Sequence, residues 1–182
     1  RDFRVNAILW DPIADEYIDP FDGRADIAQR VLRVVDPRTF TDDSLRALRA
    51  VQFAARFDFA LDDEGRRLCA AMPLDDLPAE RIWGEVEKLL LAPRPSVGFA
   101  LALELGIVAK LWPELKALDG CPQEPEWHPE GDVWVHTLQV VDQARTRIDD
   151  LRAALAKYVD LPAGCALMLG NGSDELISLL AM

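Results

Sequence analysis

The sequence predicts a mainly α-helical protein with a small β-hairpin near its start and a short α/β piece at its end. Three observations carry that expectation. Residues 3–10, FRVNAILW, and 16–20, EYIDP, read as short strands around DPIAD, whose Asp and Pro suit a turn. From Thr41 onward apolar residues recur at helical spacing. Beyond about residue 145 the order becomes helix, strand, glycine-rich turn and helix, an α/β pattern attached to a helical body.

Taken in order, the hairpin is followed by a loop at Gly23, a short helical stretch near 25–29 and a third strand at VLRVV. Thr41 reads as a helix N-cap, with Asp42 and Asp43 in the first turn, where the helix dipole favours negative charge. Leu45, Leu48, Val51 and Ala55 then give that helix an apolar side, while Arg46, Arg49 and Arg56 fall on another face. Amphipathic segments follow at 62–72, 78–92, 95–106 and 107–118, punctuated by Pro78, Pro93, Pro113 and Gly120. CPQEPEWHPEGD is a proline-rich loop whose Asp132 caps a helix over 133–144. After a seam near 143–150, IDDLRAALAKYV reads as a short helix, DLPAG as a turn, CALMLG as a strand and SDELISLLAM as a second helix.

With 182 residues, half of them hydrophobic, the chain can bury one domain core, or a domain core plus a fragment. No apolar run approaches the roughly 20 residues of a membrane span, and no basic stretch followed by an apolar one marks a leader, so the cytoplasm is the default expectation. Cys69, Cys121 and Cys165 are odd in number and form no C-x-x-C pair, which favours buried thiols over a disulfide framework or zinc ribbon. The net charge of −12 argues against a nucleic-acid surface over the whole chain. Lys and Arg stand against Asp and Glu as 9 to 11 in residues 1–60, 7 to 16 in 61–144 and 4 to 5 in 145–182, so no such surface is expected in the acidic middle. A start without Met and an end inside an apolar helical pattern read as cuts, the marks of a fragment.

Asp43 and Arg46 stand three apart on one helix face, a carboxylate acceptor beside a fork of donors. Adenine and cytosine both show an amino donor next to a ring-nitrogen acceptor, and guanine and uracil reverse that order, so such a pair would favour A and C together. The same residues also read as an acidic helix start with an ordinary i,i+3 ion pair. His128 and His136 are the only histidines, and on spacing alone they read as hydrogen-bonded structural residues without a nearby third metal ligand. Near the end, Gly170, Asn171 and Gly172 allow a tight turn, and Ser173, Asp174 and Glu175 open a helix able to hold an anion or simply to be capped.

RDFRVNA, IDPFDG, RVLRVVDPRTFTDDSLRALRAVQFAARF, LPAERIWGEVEKLL and EWHPEGDVWVHTL occur in this order. Together they resemble bacterial tRNA nucleotidyltransferases, the CCA-adding enzymes of the poly(A) polymerase-like superfamily, over about residues 1–144. The resemblance implies nucleotidyl transfer to tRNA 3′ ends from CTP and ATP with Mg²⁺. Arg1 and Asp2 look like the end of the R-R-D-F motif, whose Arg contacts the incoming nucleotide. Asp42, Asp43 and Arg46 look like the E-D-x-x-R motif, with Asp43 and Arg46 as the template that pairs with ATP or CTP. Arg49 is similar to a further nucleotide-contacting Arg, and Glu80, Arg81 and Glu85 resemble an E-R motif that supports the neck. Asp42 replaces Glu, and Gln52 stands where relatives commonly carry another nucleotide-contacting Arg.

The family's glycine-rich phosphate loop and paired metal-binding aspartates lie upstream of Arg1 in this alignment of motifs. No catalytic residue is therefore expected here, and the chain alone is expected to be inactive. The implied organisation is the end of a nucleotidyltransferase head at 1–40, a helical nucleotide-recognition and neck region at 41–118, the start of an HD-type domain at 119–144, and an unrelated piece at 145–182. WHPEGDVWVHT resembles the entry to an HD phosphohydrolase domain, in which His136 matches the first ligand of a divalent metal, an incomplete site without the later His-Asp pair. A poly(A) polymerase shares the R-D-F and D-x-x-R strings and is one alternative; a non-catalytic nucleotide-binding helical module is another.

LRAALAKYV and LPAGCALMLGNGSDELISLLAM, about residues 149–182, resemble the early part of histidinol-phosphate aminotransferases. That resemblance implies a chimeric join and a pyridoxal-phosphate site whose phosphate sits at Gly172, Ser173 and Asp174, with Lys157 placed too early to be the Schiff-base lysine. A pyridoxal-phosphate aminotransferase is the remote alternative. Neither the oligomeric state nor the tRNA-holding surface is legible in the sequence.

Overall fold

Phe3, fully buried, meets Phe40 and Phe53 edge to face at 5.6 and 5.7 Å and bridges to Val34, so the start of the chain is tied into the helical body. The computed structural model describes residues 1–158, 165–166 and 180–181, with side chains as far as residue 150 apart from Asp149. These fall into two units, Arg1–Asp142 and Gln143–Met182.

In the first unit the expected strand at 3–10 is shorter. Arg4–Asn6 form a 3₁₀ turn, and only Leu9–Asp11 (β1) pair antiparallel with Glu16–Ile18 (β2), Trp10 opposite Tyr17. The turn works as its residues suggest: the Asp11 carboxylate accepts from the Ile13 and Ala14 N–H groups at 2.8 and 3.1 Å, and Asp15 takes a left-handed φ of 57°. Asp19 then accepts from Gly23 and Arg24 N–H at 2.8 and 2.9 Å and starts the helix Gly23–Gln29 (α1). A Cβ at Gly23 would lie 2.3 Å from the Arg4 carbonyl oxygen, so this approach requires glycine. Val31–Leu32 (β3) pair parallel with Ala60–Leu61 (β4).

Thr41 does not begin the long helix. Asp36 and Pro37 start an earlier one, Pro37–Phe40 (α2), because the Asp36 carboxylate accepts from Arg38 N–H at 3.0 Å and Pro37 fits the first turn; Thr41 closes that helix. The long helix, Leu45–Phe57 (α3), begins after Ser44, with the Asp43 carboxylate accepting from Leu45 N–H at 3.2 Å. Asp62 caps Asp63–Ala71 (α4), Pro78 precedes Ala79–Leu90 (α5), and Pro95–Glu104 (α6) follows. The single helix expected at 107–118 is two, Ile107–Leu111 (α7) and Pro113–Lys116 (α8), since Pro113 cannot donate to the turn before it. Asp132 caps the last helix, Val133–Tyr158 (α9), by accepting from Trp134 and Val135 N–H at 2.8 and 3.3 Å. This is one helix where the sequence suggests two separate ones.

The core forms where α3 packs on α5 and α6, with Leu48, Val51, Ala54 and Ala55 facing Leu89, Phe99 and Ala102 among the buried residues. Gly98 makes that approach close: a Cβ there would lie 2.7 Å from the Val51 carbonyl oxygen. In the second unit, Cys165–Ala166 (β5) pair antiparallel with Leu180–Ala181 (β6), so the helix expected to run to Met182 is strand at 180–181. Among the described residues no helix is long and apolar enough to cross a membrane.

Candidate functional site

The arginine face of α3 opens onto a cleft of about 360 Å³. Arg1, Asp2, Asp43, Arg46 and Arg49 all line it, joined by Asn6, Leu45 and Arg81. Four arginines against two aspartates make this cleft basic within a chain of net charge −12. A larger cavity of about 420 Å³ is lined by Val5, Asn6, Ile27, Phe53, Phe57 and Phe59; it has no charged side chain and offers no acid, base or phosphate contact. Chemistry therefore points to the smaller, polar cleft.

Ion pairs to two buried carboxylates, Asp2 and Glu85, run from it. Asp2, with its side chain 7% exposed, accepts from Arg49 Nε and from Asn6 Nδ2, the latter at 2.5 Å. Burial alone would raise the Asp2 carboxyl, but hydrogen bonds from Arg49 and Asn6 outweigh it and hold the group below the ordinary aspartate value. Arg49 also reaches Glu85 at 3.9 Å and lies over the Phe53 ring at 5.0 Å. Glu85, itself buried, takes Lys88 at 2.8 Å.

At the rim, Asp43 and Arg46 do not form the i,i+3 ion pair that one reading of the sequence offers; each is held by a different group. Arg81 Nη2 donates to both Asp43 oxygens at 3.0 Å, and Arg46 Nη1 donates to the Thr39 carbonyl while its guanidinium lies 6.0 Å over the Phe40 ring. A carboxylate has about four lone-pair directions and a guanidinium five N–H donors, so both groups keep capacity for a ligand. Arg81, expected only to support the neck, thus lies in the cleft, and Asn6 was not anticipated at all. Gln52, at the position where the resemblance implies an arginine, is 1% exposed within the core. Among the described residues the cleft is lined by two carboxylates, Asp2 and Asp43, each paired with an arginine.

His136 sits in the first turn of α9, and its Nδ1 hydrogen-bonds with Glu130 Oε1, which also faces His128 Nδ1 at 3.3 Å. The third potential ligand that the sequence did not reveal is therefore Glu130. Gly172, Ser173, Asp174 and the side chain of Lys157 lie outside the described residues.

Residues 65–118 match the family profile described as "Probable RNA and SrmB- binding site of polymerase A". The "Multifunctional CCA protein" of Thioalkalivibrio sulfidiphilus (strain HL-EbGR7) is 44% identical over 151 residues, 79% of this chain and 36% of that protein. Solved CCA-adding enzymes with CTP, with ATP and, from Thermotoga maritima, with tRNA align at TM-scores of 0.56 to 0.57 and 31% identity, over 63% of this chain and 29% to 30% of theirs. The chain spans just over a third of the length of the curated relatives it matches, and over the matched stretch it is homologous to part of the bacterial multifunctional CCA-adding enzymes.

Proposed function

We propose that this chain carries the nucleotide-selecting cleft of a CCA-adding tRNA nucleotidyltransferase. The observation that supports it is the gathering of Arg1, Asp2, Asp43, Arg46 and Arg49 around one basic cleft in an otherwise acidic chain. In this reading Arg1 and Arg49 attract the triphosphate, and Asp43 and Arg46 accept from and donate to the base edge, fitting A and C and opposing the reversed pattern of G and U. Arg81 and the Thr39 carbonyl hold the two template groups in place before the nucleotide arrives.

The chemistry needs Mg²⁺ to activate the 3′-hydroxyl and clamp the triphosphate, and the described residues do not supply its ligands in the cleft. In this reading the chain alone binds selectively without turnover. Equilibrium titration with each of the four ribonucleoside triphosphates tests this: tighter binding of ATP and CTP than of GTP and UTP is expected, and equal binding of all four, or turnover by the chain alone, contradicts it. The family description over residues 65–118 favours a second reading, a poly(A) polymerase of the same superfamily, for which ATP would bind and CTP would not. The aminotransferase-like reading of residues about 149–182 rests on the string GNGSDELI and its flanks alone.

A further inference from the structure

Ile82, Glu85 and Leu89 stand on one face of α5 at the three- and four-residue spacing of a core stripe, and the middle member is an acid. Glu85 is 4% exposed and Leu89 2%, so the acid lies at a depth where an unpaired charge is costly. Its partners are divided between two sides. Oε1 accepts from Lys88 Nζ on the same helix at 2.8 Å and faces Arg49 Nη1 of α3 at 3.9 Å, while Oε2 is buried without a hydrogen-bond partner. On its other edge the Arg49 guanidinium gives Nε to Asp2, whose backbone is fixed by Val35 N–H on its carbonyl at 3.0 Å. The guanidinium carbon lies over the Phe53 ring, 5.0 Å from its centroid. A single bond at Nε would leave the planar group free to pivot; the Glu85 contact at Nη1 and the ring remove that freedom.

We propose that Glu85 is a positioning residue that aims Arg49 at the triphosphate of a bound nucleotide. Glu85 does not itself line the cleft and acts through Arg49. This rests on the reading of the cleft as a nucleotide site, and it gives the acid of α5 a part in that site beyond support of the neck. Asp2 and Glu85 carry two negative charges and Arg49 and Lys88 two positive ones, so the group as a whole adds no net charge to draw an anion. What Arg49 contributes is directed hydrogen bonds to phosphate oxygens, and these depend on where its fork points. The sign of one substitution separates aim from charge. Glu85→Gln keeps the shape and removes a negative charge beside the cleft, which by electrostatics alone would tighten the hold on an anion, whereas loss of aim weakens it.

The test is equilibrium titration of the full chain with ATP and AMP, which share a base and differ only in phosphate. The ratio of ATP to AMP affinity should fall by about fivefold in Glu85→Gln, with the preference for ATP over GTP as in the wild type. Arg49→Lys keeps the charge and loses the fork, so it should lower the ratio by at least as much, and adding Glu85→Gln to it should change the ratio no further. An unchanged or raised ratio in folded Glu85→Gln overturns the proposal. So does a wild-type ratio in Arg49→Lys, the variant that decides if Glu85→Gln does not fold. The cleft reading fails separately: if all four triphosphates bind alike while the ratio still falls in Glu85→Gln, the base is not read at Asp43 and Arg46, and the aim of Arg49 stands.

Discussion

Arg81 on α5 donates from one guanidinium nitrogen to both carboxylate oxygens of Asp43, at 3.0 Å, across a sequence separation of 38 residues. The contact fixes the acid at the head of α3 from a second helix and leaves its opposite lone pairs facing the cleft. Its side chains are 47% and 35% exposed, so its value lies in position more than in stability.

Arg81→Ala should therefore change the unfolding free energy by less than about 1 kcal/mol. It should lower the preference for ATP and CTP over GTP and UTP by about fivefold, equivalent to about 1 kcal/mol. Urea unfolding and nucleotide titration on the same preparation separate the two effects.

Asp2→Asn removes a buried charge and leaves Arg49 without its closest partner, so a loss of about 1–3 kcal/mol is expected in urea unfolding. The sign of the pH effect follows from the lowered folded-state value. The stabilisation from Asp2 is complete above the ordinary aspartate value of 3.8 and is lost as pH falls below it through the depressed folded-state value. Stability of the wild type should thus fall more steeply than that of Asp2→Asn below about pH 4.

Much of the cleft was legible because local pattern carried it. Arg46 and Arg49 follow from helical spacing, and the strings around Arg1 and Asp43 marked the remaining positions. The places of Arg81, Asn6 and Glu130 were not legible, since each is set by a partner that only the fold supplies: Asp43, Asp2 and the two histidines. The helix starts show the same limit. Thr41 and Asp36 are both good caps, and Pro37, which suits a first turn, decides between them. Charge counted over long windows also hides how it is distributed. Residues 65–118, which match the RNA-binding family description, hold seven basic and seven acidic residues, and the acid excess of the middle lies in 62–64 and 119–142.

Gly98→Ala should cost about 1–3 kcal/mol, because the added methyl would press on the Val51 carbonyl and on Leu89 where α3 and α6 meet. The thermal midpoint should fall, while nucleotide selectivity in the folded protein stays as in the wild type.

Burial pushes the Cys69 thiol up to about 12, with the Asp62 charge adding to it, whereas Cys121 is exposed. Brief alkylation of the native protein at pH 8, read by peptide mass spectrometry, should label Cys121 and spare Cys69. In denaturant both should react.

The most direct test of the account is the nucleotide preference of Asp43→Ala beside that of the wild type. If Asp43 reads the base edge, the wild type prefers ATP and CTP, and the variant binds all four triphosphates with nearly equal affinity, held by the arginines that remain. Retention of the full preference for ATP and CTP in the variant would show that the base is read elsewhere and would contradict the role assigned to this cleft.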